Sequence, residues 1–352
     1  MKILITGGCG FIGSALIRHL FRSTDFSILN VDALTYAANP LALEEYEKTK
    51  NYIFENLNIC NFEGLKNIFF KYKPDAVIHL AAESHVDRSI DSPKNFIYTN
   101  LIGTYNMLEV SKAWFLEGAT KDFKFLHMST DEVFGSASGK TLFDETSKYD
   151  PSSPYSASKA GGDHLVRSWW KTYKLPTILI NMCNAYGPWQ FPEKLIPLII
   201  TNALERKNLP IYGEGKNIRE WIYVMDAAAG ITKVLLKGKI GQTYLLGTGD
   251  ERTNLETVKL ICKILDEKFS GKSSFLHEHL IEYIEDRPGH DFRYALNSKK
   301  IFSELDWKPL ETADSGLKKS VDWYFENKIW WEGIKKNKYS GQRLGTKNME
   351  KR

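Results

Sequence analysis

Residues 2–16 read KILITGGCGFIGSAL, an apolar run cut off by glycines, of which Gly7, Gly10 and Gly13 stand at three-residue intervals. The pattern predicts a buried strand, a tight turn and a helix over about Ser14 to Phe21. Glycine here permits the turn, lets the backbone approach a pyrophosphate and packs the helix against the strand. Backbone N–H groups where the helix begins, with Phe11 and Ile12 in the loop, are donors for phosphate. Asp32 ends the next apolar run, SILNVD. A carboxylate there accepts from ribose hydroxyls and repels a 2′-phosphate, so the expected cofactor is NAD rather than NADP. Asn58, with Ile59 beside it, follows the third run and is expected to meet the adenine amino group through its side-chain carbonyl.

Outward from this loop, YIFENLNI, AVIHLAA, FKFLHMS and TILINM alternate with helix-length segments. Strands separated by helices imply a parallel sheet covered on both faces. The fold class expected is α/β, a Rossmann-type doubly wound sheet, over 1–183 with a return at about 223–246. Beyond Cys183, Pro- and Gly-rich connections with aromatics between them predict a smaller α+β domain over 184–222 and 247–330. It includes a helical pattern from Asn254 to Phe269 and a last helix around Ser315 to Phe325. Residues 331–352 read as a basic, loosely held tail.

A chain of 352 residues exceeds what one core usually supports, which agrees with two domains. Hydrophobic residues at 43% and a net charge of +4 exclude a disordered chain and give no reason to expect nucleic acid. No apolar run reaches the roughly 18 residues that span a bilayer, so no membrane partner is expected. Cys9, Cys60, Cys183 and Cys262 lack paired or metal-type spacing, and no secretory pattern opens the chain. Free thiols, no metal and a cytoplasmic location are the expectation.

PSSPYSASKAGGDHLV, residues 151–166, has the marks of a helix start, with Ser152 or Ser153 as cap and Pro154 in the first turn. Tyr155 and Lys159 then share a face. An ammonium near a phenol favours phenolate, a base able to take a hydroxyl proton while hydride leaves for nicotinamide. MSTDEVFG, residues 128–135, places Thr130, Asp131 and Glu132 where a strand ends. Both acids reach one substrate only if the chain turns there, and Gly135 permits the turn.

The three glycines, Thr130, and Tyr155 with Lys159 resemble the extended short-chain dehydrogenase/reductase family. VDALTYAAN, HLAAESHVDRSI, STDEVFG, YGPWQFPEKLIPL and DRPGHDFRYAL are similar to its nucleotide-sugar 4,6-dehydratases, a likeness running from Met1 to about residue 330. That resemblance implies oxidation at C4 of a nucleotide sugar, dTDP-glucose, loss of water across C5 and C6, and hydride return to C6. It implies Tyr155 as the base at the 4-hydroxyl, Thr130 as its hydrogen-bonding partner, Glu132 as the C5 base and Asp131 as the acid toward O6. Two close carboxyls divide such roles because ionisation of one raises the pKa of the other.

It further implies Ser84 and Asp87 near sugar and cofactor, and Asn184, Glu193 and Lys194 near sugar and diphosphate. Arg219, Asn254, Arg287, His290 and Tyr294 are implied near diphosphate and nucleoside. An arginine fork donates bidentately to phosphate. His79 and Trp221 read as packing residues. Asn58 for a usual aspartate, Ala185 for a usual asparagine and Met182-Cys183 for Cys-Ser depart from the pattern without touching the proton chemistry. A nucleotide-sugar 4-epimerase would not need the two acids, and a silent NAD-binding scaffold would not need Tyr155, Lys159 and Thr130. The resemblance also implies a homodimer built on two helices per subunit, for which SWWKTY, residues 168–173, offers an aromatic face.

Overall fold

The structure is a computed structural model describing residues 1–118, 122–270 and 275–345. The first half runs β1 (Lys2–Thr6), α1 (Phe11–Ser23), β2 (Ser27–Asp32), β3 (Tyr52–Asn56), α2 (Phe62–Tyr72), β4 (Ala76–His79), α3 (Val86–Asp91) and α4 (Pro93–Phe96). A π-helical stretch, Ile97–Gly103, leads into α5 (Thr104–Leu116), β5 (Lys124–Thr130), α6 (Pro154–Tyr173) and β6 (Thr177–Met182). Next come β7 (Asn184–Tyr186), α7 (Leu195–Leu204), β8 (Leu209–Tyr212), β9 (Ile218–Tyr223), α8 (Val224–Lys237), β10 (Thr243–Leu246) and β11 (Glu251–Thr253). The chain continues through α9 (Asn254–Lys268), β12 (Ile281–Ile284), α10 (Lys299–Leu305), α11 (Ala313–Glu326) and α12 (Lys328–Asn337).

Seven strands form one sheet in the order β10-β6-β5-β4-β1-β2-β3, all parallel. This is the doubly wound Rossmann arrangement. Its inner strands are buried without alternation because helices cover both faces: in β1 only Lys2 is exposed, and every residue of β6 is buried, whereas the edge strand β3 is largely exposed. Strand order reverses between β1 and β4, the switch point at which such sheets bind ligands beyond the strand C-termini. β1, β4 and β5 all end there.

A three-stranded sheet, β11-β9-β7, and a parallel pair, β12-β8, stand beyond those ends. A separate core that includes Ile199, Ile261, Val321 and Trp331 supports them. Helix α1 begins earlier than the pattern suggested, at Phe11, because Gly10 already serves as its N-cap. The C-terminal segment is ordered rather than loose through Gly345: α12 buries Trp331, and Lys335 Nζ reaches Glu205 at 2.5 Å and Asn202 at 2.9 Å. Residues 346–352 of the basic tail lie outside the described residues. Among the described residues no helix is long and apolar enough to cross a membrane, and no cluster of His, Cys, Asp or Glu has the makings of a metal site.

Candidate active site

A cavity of about 990 Å³ runs from the glycine loop across the strand ends to β8 and β12. At one end Gly7, with φ +72°, closes the turn by donating its N–H to Val31. A Cβ on Gly13 would come within 2.2 Å of the Gly7 carbonyl, so only glycine lets α1 approach this closely. No side chain caps the start of α1, and Gly10, Phe11, Ile12 and Gly13 line the cavity there. Asp32 takes one N–H on each oxygen, from Cys9 at 2.9 Å and from Leu34 at 2.8 Å. Each oxygen keeps a second lone pair for ribose hydroxyls. An uncapped helix start, a glycine turn and a fixed carboxylate fit a dinucleotide. Asn58 and Ile59 line the same end. The Asn58 side-chain carbonyl accepts from the Cys60 N–H at 2.8 Å, closing its own turn, and keeps a second lone pair.

Tyr155 and Lys159 sit on α6, whose start is fixed by a capping box between Ser153 and Ser156 and by Pro154. Both are buried and line the cavity. Lys159 Nζ donates to the Met128 carbonyl of β5 at 2.7 Å. Burial lowers its pKa to about 8, with Asp163 one turn further along α6 acting against the fall. Burial first, then Glu132, raise the pKa of Tyr155, with a Thr130 hydrogen bond opposing. Asp163 in turn accepts from Ser129, Tyr149 and Asn181 and faces His127 at 3.3 Å, locking β5 and β6 onto α6.

β5 ends as anticipated in a turn, a single 3₁₀ helix over Asp131–Phe134 closed by Gly135 at φ +75°. The two acids part company. Glu132 opens on the cavity, whereas Asp131 is buried behind Thr130, whose hydroxyl donates to it at 3.1 Å. Burial, then Glu132 and Glu220, push the Asp131 carboxyl well above the usual carboxylate range. Burial also raises Glu132, but Arg287, Arg219 and Lys194 pull it back. Of the two, Asp131 is the one held more strongly toward its protonated form.

Ser84, Asp87, Asn184, Glu193, Lys194, Arg219, Asn254, Arg287, His290 and Tyr294 all line the cavity. Several are already engaged with protein groups. Asp87 accepts from Arg287 at 3.0 Å and from the Tyr212 hydroxyl at 2.9 Å, tying α3 to the smaller sheets. Glu193 accepts from Arg88 and Tyr36, both at 2.7 Å, which makes it a clamp between elements. Lys194 donates to the Ser84 carbonyl at 2.7 Å. Arg219 donates to the carbonyls of Ile218 and Asp291 and lies 4.3 Å from the Tyr294 ring centroid. His290 faces Asp286 at 2.6 Å, yet burial and the cations Arg287 and Arg219 lower its pKa to about 4. The side-chain oxygens of Asn184 and Asn254 are buried without a protein partner.

His79 bridges Thr6 of β1 and Thr104 of α5, at 2.7 and 3.1 Å, and is a packing residue. Trp221 packs edge-on against Tyr186, with centroids 6.3 Å apart, and also lines the cavity. Sequence reasoning overlooked Tyr212 and the residues around Arg343. Tyr212 had a visible signal, an aromatic residue directly before the Gly-Glu-Gly turn of residues 213–215. The C-terminal residues had none, because a short basic segment looks like any surface tail.

A glycine-loop dinucleotide site and a Tyr–Lys pair opening on one cavity define a short-chain dehydrogenase/reductase of the extended kind. The family described as GDP-mannose 4,6 dehydratase matches residues 4–320. The dTDP-glucose 4,6-dehydratase of Neisseria meningitidis serogroup B is 51% identical over 351 residues, covering 98% of this chain and 99% of its own. The crystal structure of dTDP-glucose 4,6-dehydratase from Bacillus anthracis in complex with NAD superposes with a TM-score of 0.84 at 40% identity, covering 95% of this chain and 99% of that one. The Streptomyces venezuelae enzyme of the same name, with NAD bound, gives 0.86 at 38% identity, covering 95% and 100%. The chain belongs to this family, among its dTDP-glucose 4,6-dehydratases.

Proposed function

We propose that the chain converts dTDP-glucose to dTDP-4-keto-6-deoxyglucose with NAD as a recycled cofactor. The observation that carries this is the joint placement, on one cavity wall, of Tyr155, Lys159 and Thr130 with an ionisable Glu132 among three cations. Gly7, Gly10, Gly13 and Asp32 would hold NAD, which would supply the hydride acceptor for C4 and the hydride donor for C6. Tyr155 accepts the 4-hydroxyl proton, and Thr130 orients that hydroxyl. Because burial and Glu132 raise the phenol's pKa, the positive charge of Lys159 is what favours its phenolate.

The C4 ketone acidifies the C5 hydrogen. Glu132, held toward its ionised form by Arg287, Arg219 and Lys194, removes that proton. Asp131 is the proton source for the departing 6-hydroxyl. From its place behind Thr130 it acts through the Thr130 hydroxyl or by rotation of its side chain. Water leaves, and the net reaction is redox-neutral. Arg219, Arg287 and Lys194 supply positive charge for the diphosphate.

Residues 1–183 with 223–246 are read as the NAD-binding domain, and 184–222 with 247–330 as the nucleotide-sugar domain. A cytoplasmic homodimer is part of the same proposal. The 4-epimerase alternative has no use for Glu132 and Asp131, and a silent scaffold has none for the Tyr–Lys pair. The test is to incubate the protein with dTDP-glucose and NAD and to follow product mass. Loss of one water is expected. An isomer of unchanged mass would identify an epimerase, and unaltered substrate a scaffold.

A further inference from the structure

Residues 339–345 cross the mouth of the cavity as a strap. The near end is fixed by α12, where the Trp331 indole donates to the Tyr324 carbonyl at 2.8 Å. Beyond it, Lys338 donates to the Tyr36 carbonyl at 3.3 Å, on the loop after β2. Tyr339 is buried, and its hydroxyl donates to the Gln342 carbonyl at 3.1 Å. Arg343 Nη2 donates to the carbonyls of Glu285 and Asp286 at 3.1 and 3.4 Å, and the Gly345 N–H reaches Asp91 on α3 at 2.9 Å. Lys338 thus ties the start of the strap to the loop beside the cofactor end, and the strap itself touches the loop carrying Arg287 and His290, and α3. Gly345, at φ +80°, has room for no side chain without strain: its Cβ would meet that of Asp87 at 3.2 Å.

Tyr339, Gln342, Arg343 and Leu344 line the cavity. The charge at this end is unbalanced in a useful way. Arg287 is paired with Asp87 at 3.0 Å. Arg343 meets main-chain carbonyls and an exposed Glu285 carboxylate 3.6 Å away, a pair worth little in solvent. Its guanidinium lies 5.9 Å from the ring centroid of Tyr212, whose hydroxyl is bonded to Asp87. A cation without a buried counter-ion, carried on a segment that covers the cavity, suits an anion inside it. The strap lies past residue 320, where the family match ends.

We propose that residues 339–345 retain the nucleotide sugar and that Arg343 is a further substrate-holding residue, bonding the nucleoside diphosphate portion. This rests on the nucleotide-sugar reading above. The test compares wild type, Arg343→Ala, Arg343→Lys and Gly345→Val by calorimetric titration with dTDP and, separately, with NAD.

Arg343→Ala should weaken dTDP binding about 10-fold to 100-fold, as expected for lost charge-assisted hydrogen bonds, and leave NAD binding as in wild type. It should raise KM for dTDP-glucose more than it lowers kcat. Arg343→Lys should recover part of the dTDP affinity, and Gly345→Val should weaken dTDP binding with the arginine intact. Equal dTDP affinity in wild type and Arg343→Ala would overturn the strap alone. Parallel loss of NAD and dTDP binding would reduce it to a structural brace and overturn it too. Failure of wild type to bind dTDP would remove the dehydratase reading and the strap with it.

Discussion

Asp131 and Glu132 are neighbours in sequence with opposite electrostatic surroundings. Asp131 has Glu132 and Glu220 near it, and Glu132 has Arg287, Arg219 and Lys194. Glu132→Gln should therefore stop both water loss and exchange of the C5 hydrogen with solvent deuterium, whereas Asp131→Asn should slow water loss and spare the exchange. Wild-type dehydration by Glu132→Gln would reduce the pair to a structural turn. Tyr155→Phe removes the base for the first step and should cost about 100-fold to 10,000-fold in turnover while substrate still binds. Lys159 makes the pH dependence explicit. Its ammonium is the useful form and its pKa is about 8, so turnover should be full below that value and fall as pH rises through it. A profile flat to about pH 10, the range of an unperturbed lysine, would assign the charge elsewhere. The Tyr–Lys spacing was legible because it is local to one helix. The direction of the ammonium was not, since the Met128 carbonyl that receives it belongs to another element.

α6 shows how an element's start sets a site's geometry. Ser153 and Pro154 fix the first turn, and Tyr155 follows at once, so any fraying there moves the catalytic phenol. Ser153→Ala should cost about 0.5–2 kcal/mol of stability, read as a lower melting temperature, and should reduce kcat as well. An unchanged melting temperature would show that the neighbouring contacts hold the turn without the cap. At the end of β2, Asp32→Ala should relax the preference for NAD over NADP, measured as the ratio of their dissociation constants. Equal binding of both by wild type would show that Asp32 does not govern the choice. Strands, the glycine turn and this cap were legible because each has a local period or a punctuating residue. The pairing of β8 with β12 was not: Leu209 meets Ile281 across a long stretch of chain. Nor was the π-helical stretch before α5, which no residue type announces.

On the scale of the whole molecule, the sheet was legible, and the ordered strap and the outer face of α5 and α6 were not. SWWKTY was expected to supply an aromatic face, but only part of it does so. Trp170 packs against Gly241, where a Cβ would approach its indole to 2.2 Å. Trp169 stacks edge-on between Tyr105 and Tyr173, with centroids 6.0 and 5.4 Å away. Tyr173, Tyr105 and Ile102 are exposed, as are Ile97 and Tyr98 in the π-helical stretch. The segment from residue 97 to α5 thus joins α6 in offering apolar side chains to solvent, the situation that marks an interface on a soluble protein. A two-fold partner presenting the same face would cover these residues, and a stable contact needs roughly 800 Å² from each copy. Tyr98→Glu combined with Tyr105→Glu would place four carboxylates in the contact across a two-fold axis, a desolvation cost that the lost apolar area cannot offset. Wild type should sediment at twice the chain mass of 40.3 kDa and the double variant at the chain mass itself. Because α6 also carries Tyr155 and Lys159, the separated chain should lose melting temperature and turnover together. A wild-type protein that sediments as a single chain, or a double variant still at twice that mass, would show that this face is not the contact.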